Sequence, residues 1–211
     1  MRNDLTSAGA STLAILGAGG HGRVVADCAI GAGWADVAFF DDNPSAHSQV
    51  KVRGTTNELF GTVRSFGGVI VAFGDNRLRL SVYRRLVDVG AAPISVVHPF
   101  AFVSNTATIG PGTVVIAGAV VNAGAQVGVA CILNTGCSID HDSVLADGVH
   151  VSPGARIAGE VNVGERTWIG IGASIRHQIV IGSDVIVGAG AAVVKNVPDG
   201  LRVVGVPARQ M

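Results

Sequence analysis

Aliphatic residues spaced six apart, from Val103 to Val193, constrain this chain more than any other feature. Stepping in sixes gives Val103, Ile109, Val115, Val121, Val127, Leu133, Ile139, Leu145, Val151, Ile157, Val163, Ile169, Ile175, Ile181, Val187 and Val193. All sixteen positions hold Val, Ile or Leu, without a miss. Four places after each stands a small or β-branched residue, from Ala107 and Thr113 through Cys131, Cys137 and Ser143 to Ala191 and Val197. Neither the helical period nor the two-residue alternation of a sheet produces a strict six. A parallel β-helix does. Each hexad makes one short strand and one turn, and three hexads close a triangular coil. Coils stack at roughly 4.7–4.9 Å, the spacing of paired strands. Equivalent points on successive coils are eighteen residues apart, so the hexads make a little over five coils.

Composition fits such a prism. Of 211 residues 48% are hydrophobic, yet aromatics are 5% and Gly numbers 30, as a narrow interior requires. Lys+Arg and Asp+Glu are equal at 15 each, so no net field draws the chain to nucleic acid. No segment approaches the roughly 20 apolar residues of a membrane helix. The start, Met1-Arg2-Asn3-Asp4-Leu5, is too polar for a signal peptide. Cys28, Cys131 and Cys137 lack metal-type spacing and read as reduced, buried residues. These features predict a cytoplasmic protein with neither a membrane nor a nucleic-acid partner.

Before the hexads, a polar lead over 1–10 gives way to alternating strands and helices. Strands are expected at 13–16, 37–40, 68–73 and 94–97, and helices at 23–30 and 77–89. The second helix would bury Leu78, Val82, Leu86 and Val89; residues 45–67 have no clear assignment. The pattern predicts a small parallel α/β, Rossmann-like domain over 1–98, with a β-helix domain over 99–211. The tail, with Pro198 and Pro207, breaks the register and is expected to cap the prism's open end.

Gly17-x-Gly19-x-x-Gly22 lies between a strand and a helix, with Asp41 and Asp42 about twenty residues on. Such a loop lets a phosphate approach the backbone at a helix N-terminus. Read alone it says NAD, but the α/β part is little more than one mononucleotide half. A nucleotide-linked ligand held by this loop, by Asp41-Asp42 and by Gly74 uses the same physics, and a turn with no ligand stays open. His141 lies on an outer face of the prism beside Asp142. Adjacent strand residues point to opposite faces, so an Asp–His contact there needs a corner. Such a contact raises an imidazole's pKa and suits a general base. His150 ends the next hexad. His177 lies two coils beyond His141, roughly 10 Å away, too far to share a metal. Histidines meeting between subunits keep a zinc hydrase open.

The hexads resemble those of the hexapeptide acyltransferases, which use a left-handed parallel β-helix. The whole chain resembles the sugar acetyltransferases of the NeuD/PglD type. The matching pieces include Gly17-Ala18-Gly19-Gly20-His21-Gly22, Phe40-Asp41-Asp42-Asn43, Phe73-Gly74-Asp75-Asn76, Leu133-Asn134-Thr135, Ile139-Asp140-His141-Asp142, His150-Val151-Ser152-Pro153-Gly154 and Val204-Gly205-Val206-Pro207-Ala208-Arg209. Most similar are acetyltransferases of nucleotide-linked 4-amino-4,6-dideoxy sugars, perosamine and bacillosamine. The resemblance implies acetyl-CoA as co-substrate, a homotrimer with sites at the seams, and no metal. It implies that Gly19, Gly20, His21, Asp41, Asp42 and Gly74 hold the nucleotide. His141, with Asp142, would be the base facing the sugar amine, and His150 would contact the acetyl group. Gly159, Ile171, Gly188 and Ala189 would line the pantetheine path. Bacillosamine enzymes carry Glu at the position of Asp142. The resemblance favours a GDP-linked over a UDP-linked sugar, while sialic-acid-type O-acetylation and a non-catalytic sensor remain alternatives.

Overall fold

The computed structural model describes residues 12–46 and 49–211; the polar lead expected over 1–10 lies outside the described residues. The first unit is a four-stranded parallel sheet. Its strands are β1 (Thr12–Leu16), β2 (Asp36–Phe40), β3 (Val52–Gly54) and β4 (Gly68–Val71), in the order β3-β2-β1-β4. Helix α1 (Gly20–Gly31) follows β1, α2 (Thr56–Thr62) follows β3, and α3 (Asn76–Asp88) follows β4.

Three sequence expectations are corrected here. First, the fourth strand of this sheet is β3, not 94–97. Pro93 and Ile94 only touch the β4 edge, through an Ile94 N–H bond to the Val69 carbonyl at 2.9 Å. Val96 and Val97 then pair with Val114 and Val115 and so open the prism. The reason lies in the register, since Val97 is one further step of six before Val103. Second, α2 forms within the unassigned stretch, held by a capping box in which Thr55 and Glu58 satisfy each other's backbone N–H groups. Third, α3 buries Arg79, Leu80, Val82, Tyr83 and Leu86, while Leu78 and Val89 are exposed.

From residue 96 the chain winds through three parallel sheets. Partners across every strand pair between residues 96 and 193 are eighteen residues apart, as Gln126 with Val144 and His150 with Trp168. The hexad aliphatics point inward; those from Val115 to Val193 are buried, as are the small residues four places on from Thr113 to Val197. Together they form one continuous apolar core. One outer face carries Val96, Val114, Ile132, His150, Trp168 and Ile186. The first α/β unit packs on the lower half of this face, where Val114 and Ile132 join Val25, Cys28 and Ile70 in a shared buried cluster. Helix α3 runs along an adjoining corner. Arg77 reaches Asp184 at 2.9 Å, and Arg84 pairs with Glu165. The tail caps the prism as expected: Arg202–Val204 extends the His150 face, and Arg209–Gln210 pairs back on it antiparallel.

Candidate active site

Three groups of residues emerge, and the predicted site residues divide among them. The first surrounds His150 in an open cleft of about 600 Å3 between the start of α3 and the prism. Gly74, Asp75, Asn76 and Arg77 form one wall; His150, Trp168, Ile186 and Arg202 form the other. Hexad spacing puts Trp168 directly above His150, and the rings stack at 5.7 Å with 5° between planes. Trp168 Nε1–H donates to Ser152 Oγ at 2.7 Å, which fixes the indole. Burial, then the Arg79 charge, lowers the His150 pKa to about 3, so the ring is neutral at pH 7.

The first turn of α1 supplies His21 to the same region, where burial and then Arg79 lower its pKa to about 4. Gly17 has φ +115°, and a Cβ there would press on the Ala72 carbonyl oxygen at 2.9 Å; a Cβ on Gly22 would overlap the Gly17 carbonyl. Those two glycines hold the turn together. A Cβ on Gly74 would meet nothing within 4 Å, and one on Gly20 would meet only Arg23 at 4.0 Å. Their backbones are open to a ligand. Gly19 caps α1 with no side chain in the way. Asp41 Oδ2 accepts from Ala18 N–H at 2.9 Å and so ties the loop to the end of β2. Asp42 accepts from the Thr56 N–H and hydroxyl, both at 2.8 Å, and anchors α2. Both carboxylates brace the loops around the ends of β1 and β2.

Sequence reading missed the residue that joins these walls. Arg79 is 1% exposed, and its guanidinium donates to the carbonyls of Phe73, Gly74, Ala130 and Gly148 and to Asn76 Oδ1. It binds the Phe73-Gly74 loop to two prism coils at once. Arg79 gave no signal, because an arginine in a helix ordinarily reads as a solvated charge. Trp168 did carry one, eighteen residues after His150.

The second group lies on another corner. His141 Nδ1 and Asp142 Oδ2 are 2.9 Å apart. Asp142 adopts φ +58°, a left-handed conformation that Asp tolerates; this turn brings adjacent side chains together. The hydrogen bond and charge of Asp142 hold the exposed His141 above the usual imidazole pKa, with Glu160 and Asp140 adding to it. Gly159, eighteen residues on, leaves room for the ring: a Cβ there would overlap His141 Nε2. Gly124 does the same for the Asp142 carboxylate. His177 follows two coils above His141, and no set of three or more His, Cys, Asp or Glu among the described residues is placed to hold a metal. The third group, Ile171 with Gly188 and Ala189, occupies one corner on adjacent coils, joined by the Gly190 N–H bond to the Ile171 carbonyl at 2.8 Å. Ile171 is exposed.

His141 sits between the strands at 138–139 and 144–145, the corner opposite the face that the α/β unit covers. Within one chain, therefore, the His150 cleft and His141 stand on different sides of the prism.

Residues 12–86 match the family described as the PglD N-terminal domain, and residues 160–195 match the bacterial transferase hexapeptide family of six repeats. The fold is similar to that of the acetyltransferase domain of PglB from Neisseria gonorrhoeae FA1090 in complex with acetyl coenzyme A. Identity is 40% and the TM-score 0.91, over 96% of this chain and 100% of that one. A variant of perosamine N-acetyltransferase from Caulobacter crescentus, in complex with CoA and GDP-perosamine, is 36% identical with TM-score 0.91, over 98% and 99%. WeeI from Acinetobacter baumannii AYE is 25% identical with TM-score 0.82, over 95% and 99%. The prism is thus the left-handed β-helix of hexapeptide repeats.

Proposed function

The chain belongs to the PglD-type family of acetyl-CoA-dependent sugar N-acetyltransferases, and we propose that its acceptor is the C4 amine of a GDP-linked 4-amino-4,6-dideoxy sugar, with His141 as general base. The His141–Asp142 contact at 2.9 Å, on an exposed corner with a glycine beside the imidazole, carries this reading. Likeness along nearly the whole chain to an enzyme solved with GDP-perosamine supports the nucleotide.

The α/β unit that precedes residue 96 holds the nucleotide through Gly19, Gly20, His21 and Gly74, with Asp41 and Asp42 shaping the loops. Residues 99–211 hold acetyl-CoA, with Gly159, Ile171, Gly188 and Ala189 along the pantetheine and His150 at the acetyl group. The amine nitrogen attacks the thioester carbonyl carbon, and His141 accepts the proton that nitrogen loses. The C–S bond then breaks, and the CoA thiolate takes that proton back. Transfer is direct, since among the described residues no Ser or Cys nucleophile pairs with His141 and the three thiols are buried, with burial pushing each up to about 12. Asp142 fixes the imidazole and favours its protonated form. No step requires a metal.

His141 and the His150 cleft lie on different sides of one prism, which supports a homotrimer whose sites combine two chains. Three buried free cysteines support a reducing, cytoplasmic setting, and no helix among the described residues is long and apolar enough to cross a membrane.

Thiol release from acetyl-CoA, with GDP-perosamine or a UDP-linked 4-amino sugar, tests the reaction. Turnover with the GDP donor should fall a hundredfold or more in His141→Ala. Turnover with only the UDP donor would overturn the nucleotide, and none with either would overturn the acceptor. Co-expressed His141→Ala and His150→Ala chains should regain about a quarter of wild-type activity by random pairing at seams. No recovery would place each site within one chain.

A further inference from the structure

Helix α1 lies lengthwise on the prism face that carries His150. Its C-terminal half is fixed at two points. A Cβ on Gly31 would touch His98 Nε2 at 3.4 Å, and the Cys28 thiol donates to the Val115 carbonyl at 3.6 Å. From Cys28 back to His21 is seven residues, about 10.5 Å of helix. From Val115 up to Val151 is two coils, about 9.6 Å of stacking. The two lengths agree, and Val25 falls midway, in the same buried cluster as Ile132. His21 therefore arrives at the coil of His150, near enough for its charge to act on that ring.

Each imidazole has one enclosed nitrogen without a hydrogen-bond partner among the described residues: Nε2 of His21 and Nδ1 of His150. An enclosed ring nitrogen left unpaired is unfavourable, and two of them on facing elements point to a common solution. The far side of His150 fixes its tautomer. Asn134 Oδ1 accepts the Thr135 N–H at 2.8 Å, so the Asn134 amide turns its Nδ2 towards His150 Nε2, at 3.3 Å. Nε2 is then the acceptor, and the proton of the neutral ring sits on Nδ1. The Trp168 stack holds the ring in plane.

We propose that His150 donates its Nδ1–H to one enclosed water that in turn donates to His21 Nε2, so that Asn134, His150 and His21 form a single hydrogen-bonded relay from the prism to the glycine-rich loop. Asn134 and Trp168 are positioning residues acting through His150. With Nε2 as acceptor, the His21 proton sits on Nδ1, which gives the first turn of α1 a fixed N–H donor beside Gly20, suited to a phosphate oxygen. The relay's use in acetyl transfer rests on the function proposed above; its existence does not.

Two-bond 15N–1H correlation spectra of the full-length 15N-histidine protein separate the two. His21 and His150 are assigned by loss of signal in His21→Gln and His150→Gln. Both rings should show the Nδ1–H tautomer at pH 7. In Asn134→Asp the new carboxylate accepts from Nε2, so His150 should exchange its protonated and unprotonated nitrogen shifts, and His21 should follow. A His150 found as Nε2–H in the wild type, or His21 shifts that stay put while His150 switches, would overturn the relay. These readouts hold whether or not any sugar is acetylated.

Discussion

Replacing Arg79 with Met tests how the two halves of the chain are held to one another. The side chain is 1% exposed, and its hydrogen bonds among the described residues go to carbonyl and amide oxygens, three of them on Phe73, Ala130 and Gly148. Methionine fills similar volume but leaves those three carbonyls without a donor, at ~1–3 kcal/mol each and about 6 in total. Against this, burial already lowers the guanidinium pKa from 12.5 to about 10. At about 1.4 kcal/mol per unit, removing the charge returns about 3 kcal/mol. The net loss is about 3 kcal/mol, or about 6–12 °C in melting temperature for a chain of this size. The Phe73-Gly74 loop loses its tie at the same time, so KM for the nucleotide sugar should rise while KM for acetyl-CoA holds. Thermal unfolding followed by circular dichroism, with steady-state thiol release, reads both. A melting temperature within about 2 °C of wild type, with KM for the sugar unchanged, would refute this account of Arg79.

Three further outcomes follow from the site. Asp142→Asn weakens the hydrogen bond and removes the charge that hold the His141 pKa up; the proposed base acts when unprotonated, so the acid limb of kcat/KM should move to lower pH and kcat should fall. A limb that stays in place would show that it reports another group. Gly159→Ala puts a methyl group where the His141 ring stands, so kcat should fall about tenfold or more with melting temperature nearly unchanged; full activity would mean the imidazole works from another position. His21 and His150, lowered from 6.5 to about 4 and about 3, bind fewer protons folded than unfolded. Stability should therefore be full above pH 6.5 and decline below it by up to about 1.4 kcal/mol per pH unit for each ring. Urea unfolding at stepped pH should show the slope halved in His150→Gln, and an unchanged slope would contradict the neutral ring.

The parts of this molecule written in strict repetition are legible from the residues alone. Six-residue spacing predicts the prism, its inward faces and the eighteen-residue pairing, and it even contains Val97, whose place as the first prism strand the alternation at 94–97 obscured. Local chemistry was legible where a motif closes on itself, as Gly17 and Gly22 do by steric contact in the turn; the Thr55–Glu58 capping box was passed over because the residues around it, 45–67, show no clear periodicity. What depends on contacts between distant segments was not legible. Arg79 looks like any helical arginine until Ala130 and Gly148 approach it. Leu78 and Val89 continue an apolar stripe, yet the surface α3 meets is a corner of the prism that selects Leu80 and Tyr83 instead. The His141–Asp142 contact waits on one backbone angle, which the repeat does carry, since positive φ recurs at every sixth residue from Gly112 to Gly190 and Asp142 falls in that series; what the repeat leaves open is whether the two side chains turn towards each other. Asp41 and Asp42 have the right spacing for ligands, but the loops they brace are set by the tertiary arrangement.

Because the prism adds height only in whole turns, its length is quantised, and α1 is laid along it like a ruler against a graduated scale. A coil of eighteen residues inserted above Val193 would raise the cap by about 4.8 Å and leave every mark on the ruler matched. The same insertion between Val115 and Ile132 would slide the scale by one division beneath a helix that cannot stretch. His21 would then face the coil below His150, and Arg79 could no longer bridge Gly148. Growth of such a chain is therefore permitted at the free end and forbidden beneath the helix, a polarity imposed by two incommensurable repeats, 1.5 Å per residue in one and one coil per eighteen in the other.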